Sequence, residues 1–299
     1  MMQRLVIVFG LALAVHSYSV SGQALVFQSD FGLKDGAVSA MKGVAYGVSP
    51  RLAIFDLTHE IPAYNIWEAA YRLHQTAAYW PKGTVFVSVV DPGVGSERKS
   101  VVLKTKSGHF FVTPDNGTLT LVAEYLGIDE VRQIDEQVNR LKNSGQSYTF
   151  HGRDVYAYTG ARLAAGVISF GQVGRALPNQ VVQIPYQKPV LENEVIKGNI
   201  PVLDVQYGNV WSNVDKKTFD KLGARLGDKL RVMIYHGQDL LFDGVVTYAN
   251  TFSEVKVGEN LGYINSLLNF SIGINQASFS EKYHVESGPE WQILIQRSK

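Results

Sequence analysis

The chain has 299 residues, 45% of them hydrophobic and 18% charged, a composition typical of a folded protein with room for two modest domains. Its 28 Lys and Arg residues nearly balance 27 Asp and Glu residues, so the formal net charge is +1 and gives no electrostatic basis for binding nucleic acid. The absence of cysteine excludes disulfides, thiolate nucleophiles, a lipid anchor on cysteine and sulfur-ligated metals.

Residues 1–22 have the layout of a secretory signal peptide. Arg4 precedes an apolar run from Leu5 to Val15, and a small, polar segment follows from His16 to Gly22. The apolar run is shorter than the roughly 20 residues that a transmembrane helix needs. We therefore expect an exported mature protein, periplasmic or secreted, with no stable membrane anchor. A buried N-terminal strand or helix is the alternative.

Residues 24–183 alternate short apolar runs with segments of helical periodicity. The apolar runs lie at 24–28, 52–57, 84–90, 101–103 and 110–113. Apolar residues at helical spacing fill the first two gaps between them, and 154–167 is a further helix candidate. This alternation predicts an α/β N-terminal domain with a largely parallel central sheet covered by helices.

The pattern changes after residue 183. Prolines punctuate a polar stretch, which predicts a linker at 184–200. Between 201 and 299 the apolar runs have the length and spacing of antiparallel strands, and no long helical pattern separates them. We therefore predict a C-terminal all-β domain that is barrel-like or sandwich-like.

Three aspartates, Asp30, Asp56 and Asp91, end the first three apolar runs. In parallel α/β sheets ligands bind at the carboxyl ends of the strands, and an unpaired carboxylate is costly to bury. Each aspartate alone has a structural explanation as the N-cap of the following helix. The three together favour a ligand site.

Six short motifs follow one another along the chain. They are Ser29–Gly32, Asp56–Pro62, Val90–Arg98, Pro114–Gly117, Phe150–Asp154 and Asp204–Asn213. In this order they resemble the S-adenosyl-L-methionine (SAM) hydroxide adenosyltransferases, the water-using relatives of fluorinase and chlorinase. The resemblance covers nearly everything after residue 22. It implies hydrolysis of SAM to adenosine and methionine, with SAM as substrate and with no cofactor or metal.

The resemblance implies roles for five residues of the first domain. Asp91, Arg98 and His151 match the catalytic trio that marks the water-using branch. Asp30 matches the carboxylate that holds the ribose hydroxyls, and Tyr64 matches an aromatic wall beside the ligand. Within the trio, either His151 or Asp91 is the candidate proton acceptor. Histidine, with an ordinary pKa of about 6.5, is better suited to that task.

Five residues of the second domain also match substrate contacts. Asp204 matches the group that binds the methionine ammonium, and Ser266 matches one that meets its carboxylate. Tyr207, Asn209 and Trp211 match positions at the adenine end. The family further implies a homotrimer whose site forms between the first domain of one subunit and the second domain of its neighbour.

Four residues distinguish water use from halide use. Halogenases carry tyrosine and threonine at the positions of Asp91 and Val94, and tyrosine followed by serine at those of His151 and Gly152. A carboxylate repels halide but orients water, so hydrolysis is favoured over halogenation. One departure from the halogenase pattern is Leu267, which follows Ser266 where they carry arginine. It puts the proposed carboxylate contact in doubt unless backbone N–H groups provide it.

Two further alternatives stay open. Asp56, His59, Asp91, Asp115 and His151 could form a metal-dependent phosphoesterase cluster, although none of them shows the close His spacing of metal-binding helices. An exported protein that binds adenosine or SAM without catalysis is the other alternative. It would not need a water-activating trio.

Overall fold

The computed structural model describes residues 23–298, so the predicted signal peptide lies outside the described residues. Within that range no helix combines the length and the apolar character needed to cross a membrane.

The first domain alternates strands and helices and then continues with a hairpin. Its elements are β1 (Leu25–Ser29), α1 (Ala37–Val48), β2 (Ile54–Thr58), α2 (Ile66–Ala77), β3 (Val85–Val89), β4 (Ser100–Thr105), β5 (Phe110–Pro114), α3 (Thr120–Leu126), β6 (Ile128–Gln133), a π-helical segment (Gly152–Ala157), α4 (Tyr158–Ala164) and β7 (Ala176–Leu177). The strands form one sheet in the order β2-β1-β3-β5-β4-β6-β7.

This sheet is mixed, so the prediction of a largely parallel sheet is corrected. Strands β2, β1, β3 and β5 pair in parallel, whereas β4 pairs antiparallel with both β5 and β6, and β7 pairs antiparallel with β6. The physical reason is the short connection between β4 and β5. A parallel neighbour needs a crossover of a dozen or more residues, whereas a short loop permits only a hairpin.

The central strands β1 and β3 are buried along their whole length. Side chains of successive residues point to opposite faces of a strand. Leu25 and Phe27 accordingly join a core cluster with Met41 of α1, while Val26 joins a second cluster with Leu73 of α2. Burial on both faces explains why these strands read as uninterrupted apolar runs.

The second domain is β-rich and contains two short helices. Its elements are β8 (Val190–Glu192), β9 (Val195–Asn199), β10 (Val202–Asp204), β11 (Asn209–Asp215), α5 (Lys216–Asp220), β12 (Lys229–His236), β13 (Asp239–Tyr248), β14 (Asn260–Ile264), β15 (Asn269–Ile274), α6 (Phe279–Tyr283) and β16 (Trp291–Arg297). They form a nine-stranded sheet in the order β10-β11-β15-β14-β13-β12-β16-β9-β8. Its pairs are antiparallel except for β13 with β14.

Part of the expected linker at 184–200 is strand. β8 and β9 form a hairpin, and β9 pairs with β16 near the end of the chain. The two-residue turn between them, Asn193 and Glu194, has φ values of 48° and 63°, as a hairpin with the right-handed twist of a sheet requires. The polar turn and the neighbouring prolines hide this hairpin in the sequence.

The two domains pack together along α2. The indole Nε1 of Trp67 donates to the carbonyl of Pro201 at 3.0 Å, and Arg72 Nη2 donates to the carbonyl of Leu203 at 3.3 Å. Trp67 and Tyr71 also share an apolar cluster with Val202. These contacts fix the start of the second domain against the helix that follows β2.

Candidate active site

A cavity of about 260 Å³, the first pocket, lies at the carboxyl ends of β1 and β3. Asp30, Tyr64, Asp91 and His151 all line it. Arg98 reaches the same place through its ion pair with Asp91. The structure thus brings together all five site residues that the sequence predicts in the first domain.

The loop between β2 and α2 is tied to Asp30. The backbone N–H of Tyr64 donates to Asp30 Oδ2 at 2.9 Å, and Tyr64 has φ of 69°, a conformation uncommon for a residue other than glycine. The next residue, Asn65, caps α2 by accepting a hydrogen bond from the N–H of Glu68. The tyrosine ring is left 72% exposed at the rim of the first pocket.

Asp91 and Arg98 form a forked ion pair. Two turns, closed by Val94 N to Asp91 O and Ser96 N to Gly93 O, fold the loop after β3 back on itself. Arg98 Nε then donates to Asp91 Oδ1 at 2.7 Å, and Nη2 donates to Oδ2. Burial alone would lower the pKa of Arg98, but its hydrogen bonds to Asp91 raise it. The guanidinium is therefore charged, and the two hydrogen bonds hold both side chains in one geometry.

Tyr156 lies behind this pair. Its hydroxyl is 3.5 Å from Asp91 Oδ2 and 3.3 Å from Ser100 Oγ. Burial, followed by the charge of Asp91, raises the pKa of Tyr156 far above its ordinary value. The phenol is therefore protonated at neutral pH and is available to donate toward the carboxylate.

His151 is buried, with 5% of its surface exposed, at the start of the π-helical segment. Segments of this kind occur frequently at functional sites. Its Nε2 lies 3.5 Å from Glu136 Oε2, while Nδ1 has no hydrogen-bond partner among the residues that the structure describes. An unpaired buried nitrogen is costly, so a site residue with such an atom is a candidate to meet water or substrate.

Gly152 permits this close packing. A Cβ atom at this position would lie 3.0 Å from Val89 Cγ1 and 3.2 Å from two ring carbons of Phe31. Val89 and Phe31 both line the first pocket. A side chain at position 152 would therefore disturb the pocket wall.

Asp56 is not part of this site, which corrects the expectation that the three aspartates share one location. It lies inside β2, where it accepts from Lys42 Nζ at 2.6 Å and is 3.1 Å from His59 Nε2. Burial opposes its ionisation, yet the hydrogen bonds of Lys42 and His59 prevail and lower its pKa. His59 Nδ1 in turn lies 2.7 Å from Ser29 Oγ. Asp56 and His59 therefore support the loop that carries Asp30.

The candidate metal ligands are likewise separated. Asp115 accepts from the backbone N–H of Val182 at 2.8 Å, a contact that fixes the chain after β7. Among residues 23–298 no three Asp, Glu or His side chains are grouped closely enough to hold a metal ion. The residues named for a phosphoesterase cluster therefore do not form one.

A second pocket, of about 910 Å³, lies in the second domain. It is lined by all five site residues predicted there: Asp204, Tyr207, Asn209, Trp211 and Ser266. Asn209 Nδ2 donates to Asp204 Oδ2 at 3.0 Å, so the carboxylate is held at the end of β10. Tyr207 is 68% exposed. Within the part of the chain that the structure describes, no residue lines both the first and the second pocket.

The loop that carries Ser266 is organised by Asn265. Its Oδ1 accepts from the N–H groups of Leu267 and Asn269 at 2.9 and 3.0 Å, and its carbonyl accepts from Leu268 N at 2.9 Å. These three backbone N–H groups are therefore occupied within the loop. The hydroxyl of Ser266 stays as a candidate contact for a substrate carboxylate.

Several residues of the second pocket escape the sequence analysis. Asn275, Gln276, Ser278, Ser280 and Glu281 also line the second pocket, but they lie after β15 in a segment without a recognisable motif. The structure packs this segment closely against Gly208, where a Cβ would lie 2.0 Å from Ser278 Oγ.

Comparison with known proteins is consistent with this arrangement. Residues 25–174 match the model of the SAM hydroxide adenosyltransferase N-terminal domain, and residues 198–292 match that of its C-terminal domain. A protein of Methanocaldococcus jannaschii named (R)-S-adenosyl-L-methionine hydrolase is 38% identical over 216 residues, covering 71% of this chain and 73% of its own. A fluorinase of Actinoplanes sp. is 27% identical over 293 residues, covering 88% and 95%.

A solved structure agrees as well. The crystal structure of an uncharacterized conserved protein from Thermotoga maritima superposes with a TM-score of 0.82 at 35% identity, covering 91% of this chain and 100% of the other. Since the two family models together span most of the sequence and in the same order, this chain belongs to the SAM hydroxide adenosyltransferase family.

Proposed function

We propose that this protein hydrolyses SAM to adenosine and L-methionine. The observation that carries the proposal is the content of the first pocket. Asp91, whose carboxylate is bound by Arg98, and buried His151 line this one small cavity, and His151 Nδ1 has no hydrogen-bond partner among the described residues. Family membership supports it, as do relatives named as SAM hydrolases at 31–38% identity.

The reaction needs little from the protein besides placement. A water oxygen forms a bond to the ribose 5′ carbon as the bond from that carbon to sulfur breaks, and its electron pair stays on sulfur. Methionine leaves as a neutral thioether, so no general acid, metal or cofactor is required. The water proton passes to His151 Nδ1. Placing the water in line with sulfur, in a pocket that excludes bulk solvent, supplies the remaining catalysis.

Halogenation is the less favoured chemistry. Two carboxylates, Asp30 and Asp91, line the first pocket, and a negative charge near the attack path repels halide. The same charges orient water and stabilise the protonated imidazole that forms when His151 accepts a proton. A role restricted to binding does not explain why buried His151 keeps one ring nitrogen without a partner among residues 23–298.

We also propose that the complete site forms between subunits of a trimer. By family resemblance, Asp30 would hold the ribose, while Asp204 and Ser266 would hold the methionine end and Tyr207 the adenine end. One SAM molecule must therefore contact both groups, yet they line separate pockets of the chain. The exposed rings of Tyr64 and Tyr207 are suited to being covered by a neighbouring subunit.

Export is a separate proposal, based on the sequence of residues 1–22 alone. It predicts that protein recovered from the periplasm or the medium begins near Gln23. Mass spectrometry of the intact protein from fractionated cells tests this directly. A cytoplasmic protein that retains Met1 would contradict it.

The proposed activity is tested by incubating purified mature protein with SAM and separating nucleosides by chromatography. We expect adenosine at the same rate with and without chloride or fluoride, and in the presence of EDTA. A halogenated nucleoside would favour the halogenase, and loss of activity with EDTA would restore the metal hypothesis. Tight binding of SAM by calorimetry without release of adenosine would favour a binding protein.

A further inference from the structure

Glu136, in the segment after β6, contacts His151 although no motif marks it. Its Oε2 lies 3.5 Å from His151 Nε2 and accepts from Arg140 Nη1 at 3.1 Å. Its Oε1 accepts from Ser100 Oγ at 3.1 Å. The carboxylate is thus fixed through both oxygens beside Nε2 of the imidazole.

The same carboxylate links His151 to the Asp91–Arg98 pair. Arg98, which binds both carboxylate oxygens of Asp91, also donates from Nη1 to Ser100 Oγ at 3.2 Å. A continuous chain therefore runs from Asp91 through Arg98, Ser100 and Glu136 to His151. Its two ends, Asp91 and His151, both line the first pocket. The other members stand behind them.

We propose that Glu136 is a positioning residue of the hydrolysis, which accepts the Nε2–H of His151 and thereby leaves Nδ1 unprotonated to receive the proton of the attacking water. This inference rests on the proposed function. It is carried by the division of contacts on the ring, because Nε2 faces a carboxylate while Nδ1 is buried and has no partner among the described residues. A carboxylate can only accept from this ring, so it selects the tautomer with hydrogen on Nε2.

The charge of Glu136 also suits the step. When Nδ1 takes the proton, the imidazolium carries hydrogen on both nitrogens, and the adjacent carboxylate stabilises the new positive charge. The contact with His151 and, to a lesser extent, the hydrogen bond from Ser100 and the charge of Arg140 lower the pKa of Glu136 against the opposing effect of burial. Glu136 therefore stays ionised at neutral pH.

A purely structural role is the competing explanation. Arg140, the other partner of Glu136, donates from Nη2 to the carbonyl of Ser147 at 2.8 Å and stacks over Tyr148 at 4.6 Å. Glu136 would then serve only to hold this loop. In that case Arg140→Gln, which leaves the contact of Glu136 with His151 in place, would lower kcat as much as Glu136→Gln does.

The chain offers a matched control. Glu130 has the same side-chain exposure as Glu136, 35%, and pairs with Arg132 at 2.6 Å, but among the described residues His151 forms its ion pair with Glu136 and not with Glu130. We would therefore compare Glu136→Gln, Glu130→Gln and Arg140→Gln with the unchanged protein. Kinetics with SAM give kcat and KM. Nitrogen NMR of histidine-labelled protein, with the His151 signals assigned by His151→Gln, gives the tautomer.

We expect the unchanged protein to hold His151 in the Nε2–H form. A glutamine at position 136 can present its NH₂ group to Nε2 and so favour the Nδ1–H form, which cannot accept a proton. Glu136→Gln should therefore shift the tautomer and lower kcat by about 10- to 100-fold, the usual effect of losing a group that orients a functional histidine, with little change in KM. Glu130→Gln should match the unchanged protein in both measurements.

Two results would overturn the inference. In the first, Glu136→Gln leaves both the tautomer of His151 and kcat unchanged. In the second, Arg140→Gln and Glu136→Gln lower kcat equally, and neither of them shifts the tautomer. Because the NMR measurement needs no turnover, it tests Glu136 even if the unchanged protein releases no adenosine. That last outcome would refute the proposed function alone.

Discussion

Arg98 binds both carboxylate oxygens of Asp91, with Nε donating to Oδ1 at 2.7 Å and Nη2 donating to Oδ2. The side chains are 11% and 6% exposed, so the pair is held rigidly beside the first pocket. A carboxylate engaged in this way is poorly placed to take up a proton, but it can accept a hydrogen bond from water along its remaining lone pairs. We therefore expect His151, whose Nδ1 has no partner among the described residues, to be the proton acceptor.

If Asp91 orients the water and His151 accepts its proton, substitutions of the two residues should have different effects. His151→Ala should lower kcat by about 10²- to 10⁴-fold, as removal of a general base does, while the protein stays folded. Asp91→Asn should retain more of kcat but should destabilise the protein by about 3 kcal/mol, because it breaks a largely buried ion pair. Steady-state kinetics and urea unfolding measure the two effects. A folded Asp91→Asn protein with the lower kcat of the two would make Asp91 the base.

Gly152→Ser introduces the residue that halogenases carry at this position. The added Cβ meets Val89 and Phe31 at 3.0–3.2 Å, so we expect a loss of about 1–3 kcal/mol of stability from overpacking, lower hydrolysis and no halogenated nucleoside. Gly145→Ser is the control, because a Cβ there has no atom within 4 Å. Halogenated product from Gly152→Ser alone would contradict our account of halide exclusion.

Asp56→Asn should keep activity close to normal, because Asp56 lies outside the first pocket. Its lowered pKa means that the ionised group stabilises the folded state above its ordinary pKa of 3.8, and that this contribution is lost as the pH falls further. Since the side chain is 41% exposed, the loss at pH 7 should stay below about 1 kcal/mol. Urea unfolding at pH 7 and at low pH should show the difference between the two proteins shrinking on acidification. An activity loss equal to that of Asp30→Asn would restore Asp56 to the site.

The sequence predicts the parallel half of the first sheet better than the rest. Strands buried on both faces, such as β1 and β3, produce long apolar runs that are easy to recognise. The prediction of a largely parallel sheet does not include the antiparallel pairing of β4 with β5. The short loop between these two strands already excludes a crossover connection. From the sequence we take Asp56 as the end of the second apolar run, whereas strand β2 continues to Thr58, two residues further. Asp56 therefore lies within the strand and not in the loop at its carboxyl end, where the ligand site is expected.

The ten candidate site residues are predicted from the family resemblance, and the structure places nine of them in the lining of two pockets, with the tenth, Arg98, bound to Asp91. Glu136 could not be found in this way. It reaches His151 across 15 positions of irregular chain, and only the packing of the π-helical segment against α1 and β3 brings the two together. Contacts between irregular segments have no periodicity in sequence, so their partners are visible only in the folded structure.

A shared site predicts rescue between inactive variants. Asp30→Ala and Asp204→Ala proteins should each lack activity, but random mixing in a trimer would leave about a quarter of the sites with both residues intact. We expect activity to return after the two are unfolded and refolded together. Mixing Asp30→Ala with Asp91→Ala is the control. Both residues belong to the first domain, so every site in the mixture still contains one of the two substitutions and should stay inactive. Equal results from the two mixtures would place the complete site within one subunit.

The central claim, water attack on the 5′ carbon of SAM, is tested most directly by turnover in water enriched in heavy oxygen. Mass spectrometry of the products should find one heavy oxygen in the 5′ hydroxyl of adenosine and none in methionine. Unlabelled adenosine, or a nucleoside cleaved at another bond, would contradict the account.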